Sequence, residues 1–282
     1  MPKVSVLMPV YRTDESYLRQ AIESILNQTF TDFEFLILDD CPEDDREKVV
    51  KSYQDNRIKY FKNNVNMGIT PSRNRLIDWA QGEYIAIFDH DDISLPMRLE
   101  KQVAYLECHH DIGVVGSQVK AIIRQKTTDY PVHDKDIKLA LMRACVIAHS
   151  ASMIRKSVLM DYVIRYEESF SPAEDYALWG RLIPVTAFYN IDEVLLYYRD
   201  HHENTTHKQS HKMRQATYAV WSFVQTQNAE LYTEFLLKAK QIKQTKLFGF
   251  IPLLKSVSKG TKCNVYLFEK IPLYTTKTKI KL

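Results

Sequence analysis

The sequence predicts an α/β protein with a parallel sheet, because short apolar runs alternate with helical patterns through its amino-terminal part. Three runs rich in β-branched residues predict buried strands, at residues 4–10, 33–38 and 84–88. Apolar residues at helical spacing lie between the runs, over residues 17–26, 46–53 and 71–80. Strands that alternate with helices in this way form parallel sheets through right-handed crossovers.

The first strand and the first helix have clear boundaries in the sequence. Pro9 and the polar residues after it end the first apolar run. One face of the helix that follows carries the apolar residues Leu18, Ile22, Ile25 and Leu26. Asp14 or Ser16 can cap this helix, because either side chain can accept from the free backbone N–H groups of a first turn.

The second and third apolar runs end in acidic residues. Asp39 and Asp40 follow the second run, and Asp89 follows the third. In parallel α/β sheets, ligands bind beyond the carboxyl ends of the strands, so these aspartates mark a candidate ligand site. The simpler interpretation is that Asp39 and Asp40 are turn residues or helix N-caps.

The composition excludes several classes of protein. Of 282 residues, 45% are hydrophobic and 26% are charged, which is typical of a globular chain that buries a core. The 38 Lys and Arg residues nearly balance 35 Asp and Glu residues, and a net charge of +3 is too small to predict nucleic-acid binding. The 4 cysteines form no CxxC pair, which excludes a zinc knuckle or disulfide framework evident from the sequence and fits a reducing compartment.

Membrane-spanning segments are not expected. No apolar run approaches the roughly 20 residues that cross a bilayer, so any membrane association has to be peripheral. The apolar run at the amino terminus is too short for the h-region of a signal peptide. We therefore expect a cytoplasmic protein.

The segment IAIFDHDDISLP, residues 85–96, brings Asp89, Asp91 and Asp92 close together after an apolar strand. Carboxylates this close repel one another unless a cation lies among them. Mg²⁺ or Mn²⁺ carrying a diphosphate meets that need, because both ions prefer oxygen ligands. The alternative is an acid-rich helix start, with Pro96 in the first turn of the next helix.

A strand followed by DxD also opens the haloacid-dehalogenase phosphatases, in which the first Asp is a nucleophile. Ile93 stands where that pattern has Thr or Val, and the motif follows two earlier strand–helix units. A phosphotransferase with Asp89 as nucleophile remains the minor alternative. The chain has no GxGxxG or GxxxxGK[ST] motif and only 7 glycines, which argues against dinucleotide-binding and P-loop proteins.

Four segments in order carry a family resemblance: VSVLMPVYR, AIESILNQTFTDFEFLILDD, NMGITPSRNRLIDWAQGEYIAIFDHDD and SPAEDYALWGRL. Over roughly residues 3–200 the chain resembles the inverting family 2 glycosyltransferases. The resemblance implies the GT-A fold, a Rossmann-like mixed sheet flanked by helices. It implies a domain over 1–204, with a donor half at about 1–96 and an acceptor half at about 97–204. It also implies a sugar-nucleotide donor and a divalent metal.

The resemblance places the nucleotide near Pro9, Tyr11 and Asp40. Asp40 would accept from the uracil N3–H of a UDP-sugar, and Tyr11 could stack on the base. Arg73 and Asn74, in PSRNRL, would line the donor pocket. Arg73 can pair with a phosphate, and a surface ion pair is the equal alternative.

The metal is expected at the DxD pair. Asp91 would be the direct ligand, while Asp89 would reach the ribose or a metal-bound water. His201, which follows YYR in the manner of the family's YRxH segment, would approach the metal or the diphosphate. The implied cofactor is Mn²⁺ or Mg²⁺.

The general base is expected at the family's ED motif, here Glu174 and Asp175. Displacement at an anomeric carbon needs a carboxylate to deprotonate the acceptor hydroxyl, and the resemblance assigns this role to Asp175. Taken alone, the pair is more often a helix start. Asp92, His149 and Glu174 are expected to border the acceptor site or to support the ligands, with a core or loop histidine as the equal alternative for His149.

The chain departs from the family pattern after its second strand, where Cys41 and Pro42 replace Gly-Ser. Residues 205–282 predict a helical, Lys-rich extension. Its segment LFGFIPLLK resembles the tails of bacterial lipopolysaccharide, lipooligosaccharide and capsule glycosyltransferases. We expect a glycan or lipid-linked oligosaccharide as acceptor and peripheral contact with the anionic inner face of the cell membrane. The alternatives are a solvated tail and, for the whole chain, a non-catalytic sugar-nucleotide or glycan-binding module.

Overall fold

An eight-stranded mixed sheet forms the centre of the larger, amino-terminal unit in the computed structural model. The structure describes residues 1–44, 46–201 and 210–248 and the strands between 254 and 277, and its described side chains end at residue 239. The chain divides into two compact units, Met1–Asn228 and Ala229–Leu282.

The strands of the large sheet are β1 (Val4–Val10), β2 (Phe33–Asp39), β3 (Ile58–Lys62), β4 (Tyr84–Ile87), β5 (Ile93–Ser94), β6 (Ile112–Ala121), β7 (Met153–Arg155) and β8 (Ala187–Tyr198). The helices of the first unit are α1 (Glu15–Leu26), α2 (Arg46–Lys51), α3 (Ile69–Trp79), α4 (Arg98–Cys108), α5 (Asp134–Leu141), α6 (Lys156–Asp161), α7 (Glu174–Leu182) and α8 (Ser210–Gln227). Short 3-10 turns lie at His149–Ala151 and Glu168–Phe170.

The predicted strands and helices of the amino-terminal part are confirmed as β1, β2 and β4 and as α1, α2 and α3. Every residue of β1, β2 and β4 is buried, as expected for strands covered by helices on both faces. Asp14 caps α1, because its side chain accepts from the N–H of Ser16. The sequence analysis missed β3, whose residues are only half-buried and include two lysines.

The strand order is β3-β2-β1-β4-β7-β6-β8-β5. The first four are parallel, whereas β7 is antiparallel to both β4 and β6. The chain builds β2 and β3 on one side of β1 and then returns to add β4 on the other side. Strand order therefore reverses at β1, and the carboxyl ends of β1 and β4 form the crevice where such sheets bind ligands.

Helix α8 belongs to the first unit and packs against α7. Val220 and Val224 are fully buried, and the ring of Phe223 lies 5.1 Å from that of Phe170. A Cβ atom added at Gly180 of α7 would lie only 2.4 Å from a methyl of Val224, so this approach depends on glycine. The boundary predicted at residue 204 lies before this helix.

The second unit contains helix α9 (Ala229–Phe248) and an antiparallel sheet of β9 (Leu254–Lys259), β10 (Lys262–Leu267) and β11 (Ile271–Lys277). The sequence analysis predicted helix here and assigned no strands. Its lysines from residue 240 onwards lie outside the described side chains. Among the helices that the structure describes, none combines the length and the apolar character needed to cross a membrane.

Candidate functional site

The candidate site lies at the carboxyl ends of β1, β2 and β4. Pro9 lies near the end of β1, Asp40 directly follows β2, and Asp89 follows β4 after a single buried phenylalanine. Parallel strands bring their carboxyl ends to one edge of the sheet, so these residues from separate segments meet in one crevice. This is the edge that the sequence analysis predicted.

Asp40 is buried, and the protein itself uses most of its carboxylate. Oδ1 accepts from the side-chain amide of Asn63 at 2.7 Å and from the N–H of Met67 at 2.8 Å. Oδ2 accepts from the N–H of Gly68 at 2.7 Å. A carboxylate has about four acceptor positions, so these contacts leave room for one further donor. Asp40 therefore also anchors the loop that leads into α3.

Tyr11 and Pro9 lie on the same side of the site. Tyr11 is 41% exposed, and the guanidinium of Arg12 lies 5.3 Å from the centre of its ring. Pro9 and Arg73 line a very small pocket, whose other walls are Leu7, Ile87 and Tyr166. The exposed ring of Tyr11 is thus available for stacking.

Arg73 and His149 lie beside the Asp89 carboxylate. Its Oδ1 is 3.2 Å from Nη2 of Arg73 and 3.8 Å from Nδ1 of His149, and its N–H donates to the hydroxyl of Ser150. Burial alone would raise the pKa of Asp89, but the His149 ring and the charge of Arg73 outweigh burial and hold the pKa well below its usual value. Asp89 is therefore ionised at neutral pH.

Arg73 also binds Glu174, at the start of α7. Nη1 of Arg73 donates to Oε1 of Glu174 at 2.6 Å, across 101 residues of sequence. Glu174 is 4% exposed, and its Oε2 atom has no hydrogen-bond partner among the described residues. For Arg73 the sequence predicted a phosphate contact or a surface ion pair; in the structure its side chain is 13% exposed and pairs with Asp89 and Glu174.

Asn74 pairs with the backbone of Tyr166. Its Nδ2 donates to the carbonyl of Tyr166 at 2.9 Å, and its Oδ1 accepts from the N–H of the same residue at 3.0 Å. The Tyr166 hydroxyl lies 2.9 Å from Nε2 of His149, and the Tyr166 ring lies 5.6 Å from the guanidinium of Arg73. Asn74 thus supports a tyrosine that contacts Arg73 and His149, and its predicted place in the donor pocket stays a prediction.

Asp91 and His201 form the second half of the site. Nε2 of His201 lies 2.9 Å from Oδ2 of Asp91. Arg199 holds this loop in place, because its Nε donates to the Asp91 carbonyl and its N–H to Oδ1 of Asp92. The Arg199 guanidinium also lies 4.1 Å from the centre of the Tyr17 ring on α1.

Asp92 is 1% exposed, so it faces the protein. Burial and the charges of Asp91 and Asp89 raise the pKa of Asp92 well above its usual value. The fully buried Arg98 also carries its positive charge nearby, and its Nη2 donates to the carbonyls of Ile87 and Ser152. The cations that the acidic segment requires are therefore partly supplied by arginines of the protein itself.

Asp175 is half-buried in the first turn of α7, where its Oδ1 accepts from the N–H of Tyr176 at 2.7 Å. Burial and then the Asp175 charge raise the pKa of the Cys145 thiol. Burial, Cys145 and Asp175 raise the pKa of Tyr130 to about 12. The Asp175 charge thus acts on Cys145 and Tyr130, and Asp175 directly follows Glu174, which pairs with Arg73.

Asp91 and its neighbours offer few ligands for a divalent cation. Among the described residues, no group of three or more His, Cys, Asp or Glu side chains is arranged to hold a metal ion. Asp91 and His201 offer one oxygen and one nitrogen in direct contact. Mg²⁺ and related ions are commonly held by one or two carboxylates together with substrate phosphates. The residues thus fit an ion that arrives with a diphosphate.

Three positions were missed by the sequence analysis: Arg98, Tyr166 and Arg199. Arg98 carried a signal, because it shares the apolar face of α4 with Leu99 and Val103. Arg199 lies in the YYR segment from which only His201 was assigned. Tyr166 lies in a loop, and no pattern around it distinguishes it.

Known proteins resemble this chain over most of its first unit. Residues 5–163 match the family model described as Glycosyl transferase family 2. An uncharacterized glycosyltransferase of Methanocaldococcus jannaschii is 39% identical over 207 residues, which cover 70% of this chain and 71% of the relative. The O-antigen biosynthesis glycosyltransferase WbnJ of Escherichia coli is 34% identical over 212 residues, covering 72% of this chain and 81% of the relative.

Solved structures show the same fold at low sequence identity. S. aureus TarS 1–349 in complex with UDP-GlcNAc has a TM-score of 0.65 and 20% identity, and covers 77% of this chain. This chain spans 65% of that TarS fragment and 43% of a longer TarS structure. The mannosyltransferase PcManGT from Pyrobaculum calidifontis, in complex with GDP-Man and Mn²⁺, has a TM-score of 0.56 and 12% identity over 85% of this chain and 80% of that one. The predicted GT-A fold is confirmed.

Proposed function

Because the chain belongs to glycosyl transferase family 2, we propose that it transfers a sugar, with inversion, from a UDP-sugar to a bacterial cell-surface glycan. The observation that carries the proposal is the cluster at Arg73, which brings Asp89 of the DxD segment and Glu174 of the ED segment together. The proposed acceptor class is supported by the O-antigen relative, and the UDP donor by the TarS complex with UDP-GlcNAc.

The nucleotide would bind at Pro9, Tyr11 and Asp40. The remaining acceptor position of the Asp40 carboxylate suits an imide N–H such as uracil N3–H. The exposed ring of Tyr11 can stack on the base. Arg73 and Asn74 are proposed to line the donor pocket indirectly, Arg73 through its contacts with Asp89 and Glu174 and Asn74 through Tyr166.

Asp175 would act as the general base. Its carboxylate takes the proton of an acceptor hydroxyl while that oxygen forms a bond to the anomeric carbon, and the bond from this carbon to the diphosphate breaks on the opposite face. An α-linked donor therefore gives a β-linked product, and the hexose or N-acetylhexosamine changes configuration once. Glu174 and His149 would orient this side of the site, and Asp92 would support the metal-binding loop.

Asp91 and His201 would hold Mn²⁺ or Mg²⁺, with Asp89 close to the ribose or to a metal-bound water. When bound, the ion offsets the charge that develops on the leaving diphosphate. The protein itself helps to hold this loop, because Arg199 donates to the Asp91 carbonyl and to the Asp92 carboxylate. Because the bound ion would offset the charge on the leaving diphosphate, the reaction needs no acidic side chain to protonate that leaving group.

The family match argues against the phosphotransferase alternative. Asp89 also lacks the setting of a nucleophile, because Arg73 and His149 already engage its carboxylate. A non-catalytic binding module would use the same nucleotide contacts, so only turnover separates it from an enzyme.

We also propose that the protein works at the cytoplasmic face of the cell membrane, with its extension on anionic lipid. The proposal is supported by the Lys-rich sequence of the extension. The lysines from residue 240 onwards lie outside the described side chains.

The proposal is tested by thermal-shift and calorimetric binding of UDP, GDP, CDP, dTDP and ADP, each with Mn²⁺ and with EDTA. Of these nucleotides, we expect only UDP to stabilise the protein, and only when Mn²⁺ is present. Release of UDP from UDP-glucose, UDP-galactose or UDP-N-acetylglucosamine, with water as acceptor, then separates an enzyme from a binding module. Absence of binding by every nucleotide would reject the proposal.

A further inference from the structure

The Arg73 guanidinium touches two carboxylates that belong to different halves of the candidate site. Its Nη1 donates to Oε1 of Glu174 at 2.6 Å, and its Nη2 lies 3.2 Å from Oδ1 of Asp89. Glu174 is the first residue of α7, and Asp89 follows β4. One planar side chain therefore spans the distance between the helix that carries Asp175 and the strand that leads to the DxD segment.

We propose that Arg73 is a positioning residue, which fixes the Asp175 end of α7 against the Asp89 end of β4 through Glu174. The inference rests on the proposed function, because it assigns Arg73 a role in aligning the base with the donor. It replaces the phosphate contact that the sequence alone suggested for this residue. Because the two nitrogens that donate belong to one rigid, planar guanidinium, they fix both the distance and the angle between the carboxylates of Asp89 and Glu174.

The guanidinium is itself held from a second direction. Its centre lies 5.6 Å from the ring of Tyr166, whose hydroxyl contacts His149. The neighbouring residue on α3, Asn74, pairs with both backbone groups of Tyr166. Arg73 thus packs on Tyr166, which Asn74 of the same helix holds in place. This contact restricts the rotation of the Arg73 guanidinium.

Burial makes this arrangement specific for arginine. The Arg73 side chain is 13% exposed and the Glu174 side chain 5%, so water cannot readily replace the contact between them, while the Asp89 side chain is 30% exposed. A lysine keeps the charge, but it presents a single compact ammonium in place of a planar fork. Arg73→Lys therefore leaves the net charge unchanged and removes the geometry that joins the two carboxylates.

The first experiment compares wild type with Arg73→Lys. The readouts are kcat and KM for UDP release from the UDP-hexose that wild type hydrolyses fastest, and the Kd of UDP with Mn²⁺. We expect kcat to fall about 100-fold, because a displacement of about 1 Å in a catalytic group has that effect. The Kd should stay within about threefold. A Kd raised tenfold or more with kcat retained would instead identify Arg73 as a phosphate ligand and overturn the proposal.

Arg57→Lys is the matched control. Arg57 forms a two-point ion pair with Asp55, at 3.0 and 2.7 Å, and also donates to the carbonyl of Leu26. The same replacement there breaks a similar fork that touches none of the site residues. It should leave both kcat and Kd unchanged.

Glu174→Gln tests the other end of the contact and keeps the inference falsifiable if Arg73→Lys does not fold. It should lower kcat by a similar factor without changing the Kd of UDP. The double variant should be no slower than the slower single variant, because both changes break one link. Losses of kcat that multiply in the double variant would contradict the shared role. If wild type neither binds UDP nor releases it, the proposed function fails; an active wild type with unaffected variants rejects this inference alone.

Discussion

Nε2 of His201 lies 2.9 Å from Oδ2 of Asp91, across 110 residues of sequence. The histidine follows β8, and the aspartate lies between β4 and β5, a short strand that pairs with β8. Arg199 strengthens the junction, because it donates to the Asp91 carbonyl from its side chain and to Asp92 from its backbone. The fold thus prepares one carboxylate and one imidazole side by side.

This pair predicts how metal dependence will respond to substitution. Asp91→Ala should abolish the stabilisation that Mn²⁺ and UDP give together, and His201→Ala should weaken UDP binding in Mn²⁺ at least tenfold. Calorimetric titration of UDP with Mn²⁺ and with EDTA measures both effects. His109→Ala removes an exposed histidine whose Nδ1 contacts the Tyr105 carbonyl, and it should change neither. Stimulation of the Asp91→Ala protein by Mn²⁺ would exclude Asp91 as the ligand.

Asp175→Asn predicts a separation of binding from turnover. The amide keeps the size of the side chain and cannot take a proton from an acceptor hydroxyl, so kcat should fall by a factor of about 100 or more. The Kd of UDP should remain close to that of wild type, since the change leaves the nucleotide contacts intact. Steady-state UDP release measures kcat, and calorimetric titration of UDP measures Kd. Turnover within about tenfold of wild type would remove Asp175 from the base role.

The parallel half of the sheet could be read from the sequence because burial on both faces leaves continuous apolar runs. Strand β2, FEFLILD, is such a run, and Asp40 after it marks the ligand edge. Strand β3, IKYFK, is a half-buried edge strand whose lysines hide its pattern. The strands β9, β10 and β11 combine lysines and serines with apolar residues, and they too escaped detection.

The candidate site was only partly predictable, because its contacts join distant segments. The local pattern of acids singled out Asp89 and Asp91, whereas Asp175 was assigned through the family resemblance, and the roles of all three stay predictions. The sequence could not predict the hydrogen bond between Arg73 and Glu174, because nothing in PSRNRL specifies a partner 101 residues away. A divalent cation at Asp89, Asp91 and Asp92 stays a prediction, and the buried Arg98 supplies part of the positive charge that these acids require.

Glu34 provides a pH-dependent contribution to stability away from the site. Its carboxylate is 4% exposed and accepts from Lys59 at 2.6 Å, from the Ser5 hydroxyl at 2.6 Å and from the N–H of Gln81 at 2.6 Å. Burial raises the pKa of Glu34, but these donors outweigh it, so the folded-state pKa is below its usual value. A lowered pKa in the folded state contributes stability above the unfolded pKa of about 4.3, and this stability is lost as pH falls through the folded value.

Glu34→Gln should therefore destabilise the protein by about 2 kcal/mol at pH 7, the scale of hydrogen bonds to a buried charge. The difference from wild type should shrink as pH falls below about 4. Urea unfolding at several pH values measures it. Glu15→Gln, which breaks the exposed pair with Arg19, should have a much smaller effect at every pH. A Glu34→Gln difference that grows in acid would refute the assignment.

Truncation separates the roles of α8 and the second unit. A chain of residues 1–228 keeps the buried Val220 and Val224 against α7 and should bind UDP like the full chain. A chain of residues 1–204 exposes the α7 surface and should unfold at a clearly lower temperature. Sedimentation with phosphatidylserine vesicles should recover the full chain and leave 1–228 in solution. Equal sedimentation of the two would reject the lipid-binding role of the extension.

Val163 occupies a backbone conformation that β-branched residues rarely adopt. Its φ is +52°, and its N–H donates to the Met160 carbonyl at the end of α6. The side chain is 74% exposed, so few contacts depend on it. Val163→Gly should therefore stabilise the protein by about 1 kcal/mol, because glycine relieves the left-handed strain. Val65→Gly is the control: Val65 is 64% exposed and lacks a positive φ, so glycine there should be neutral or destabilising. Thermal unfolding of both variants checks the sign, and a destabilised Val163→Gly protein would show that the valine contributes packing that outweighs the strain.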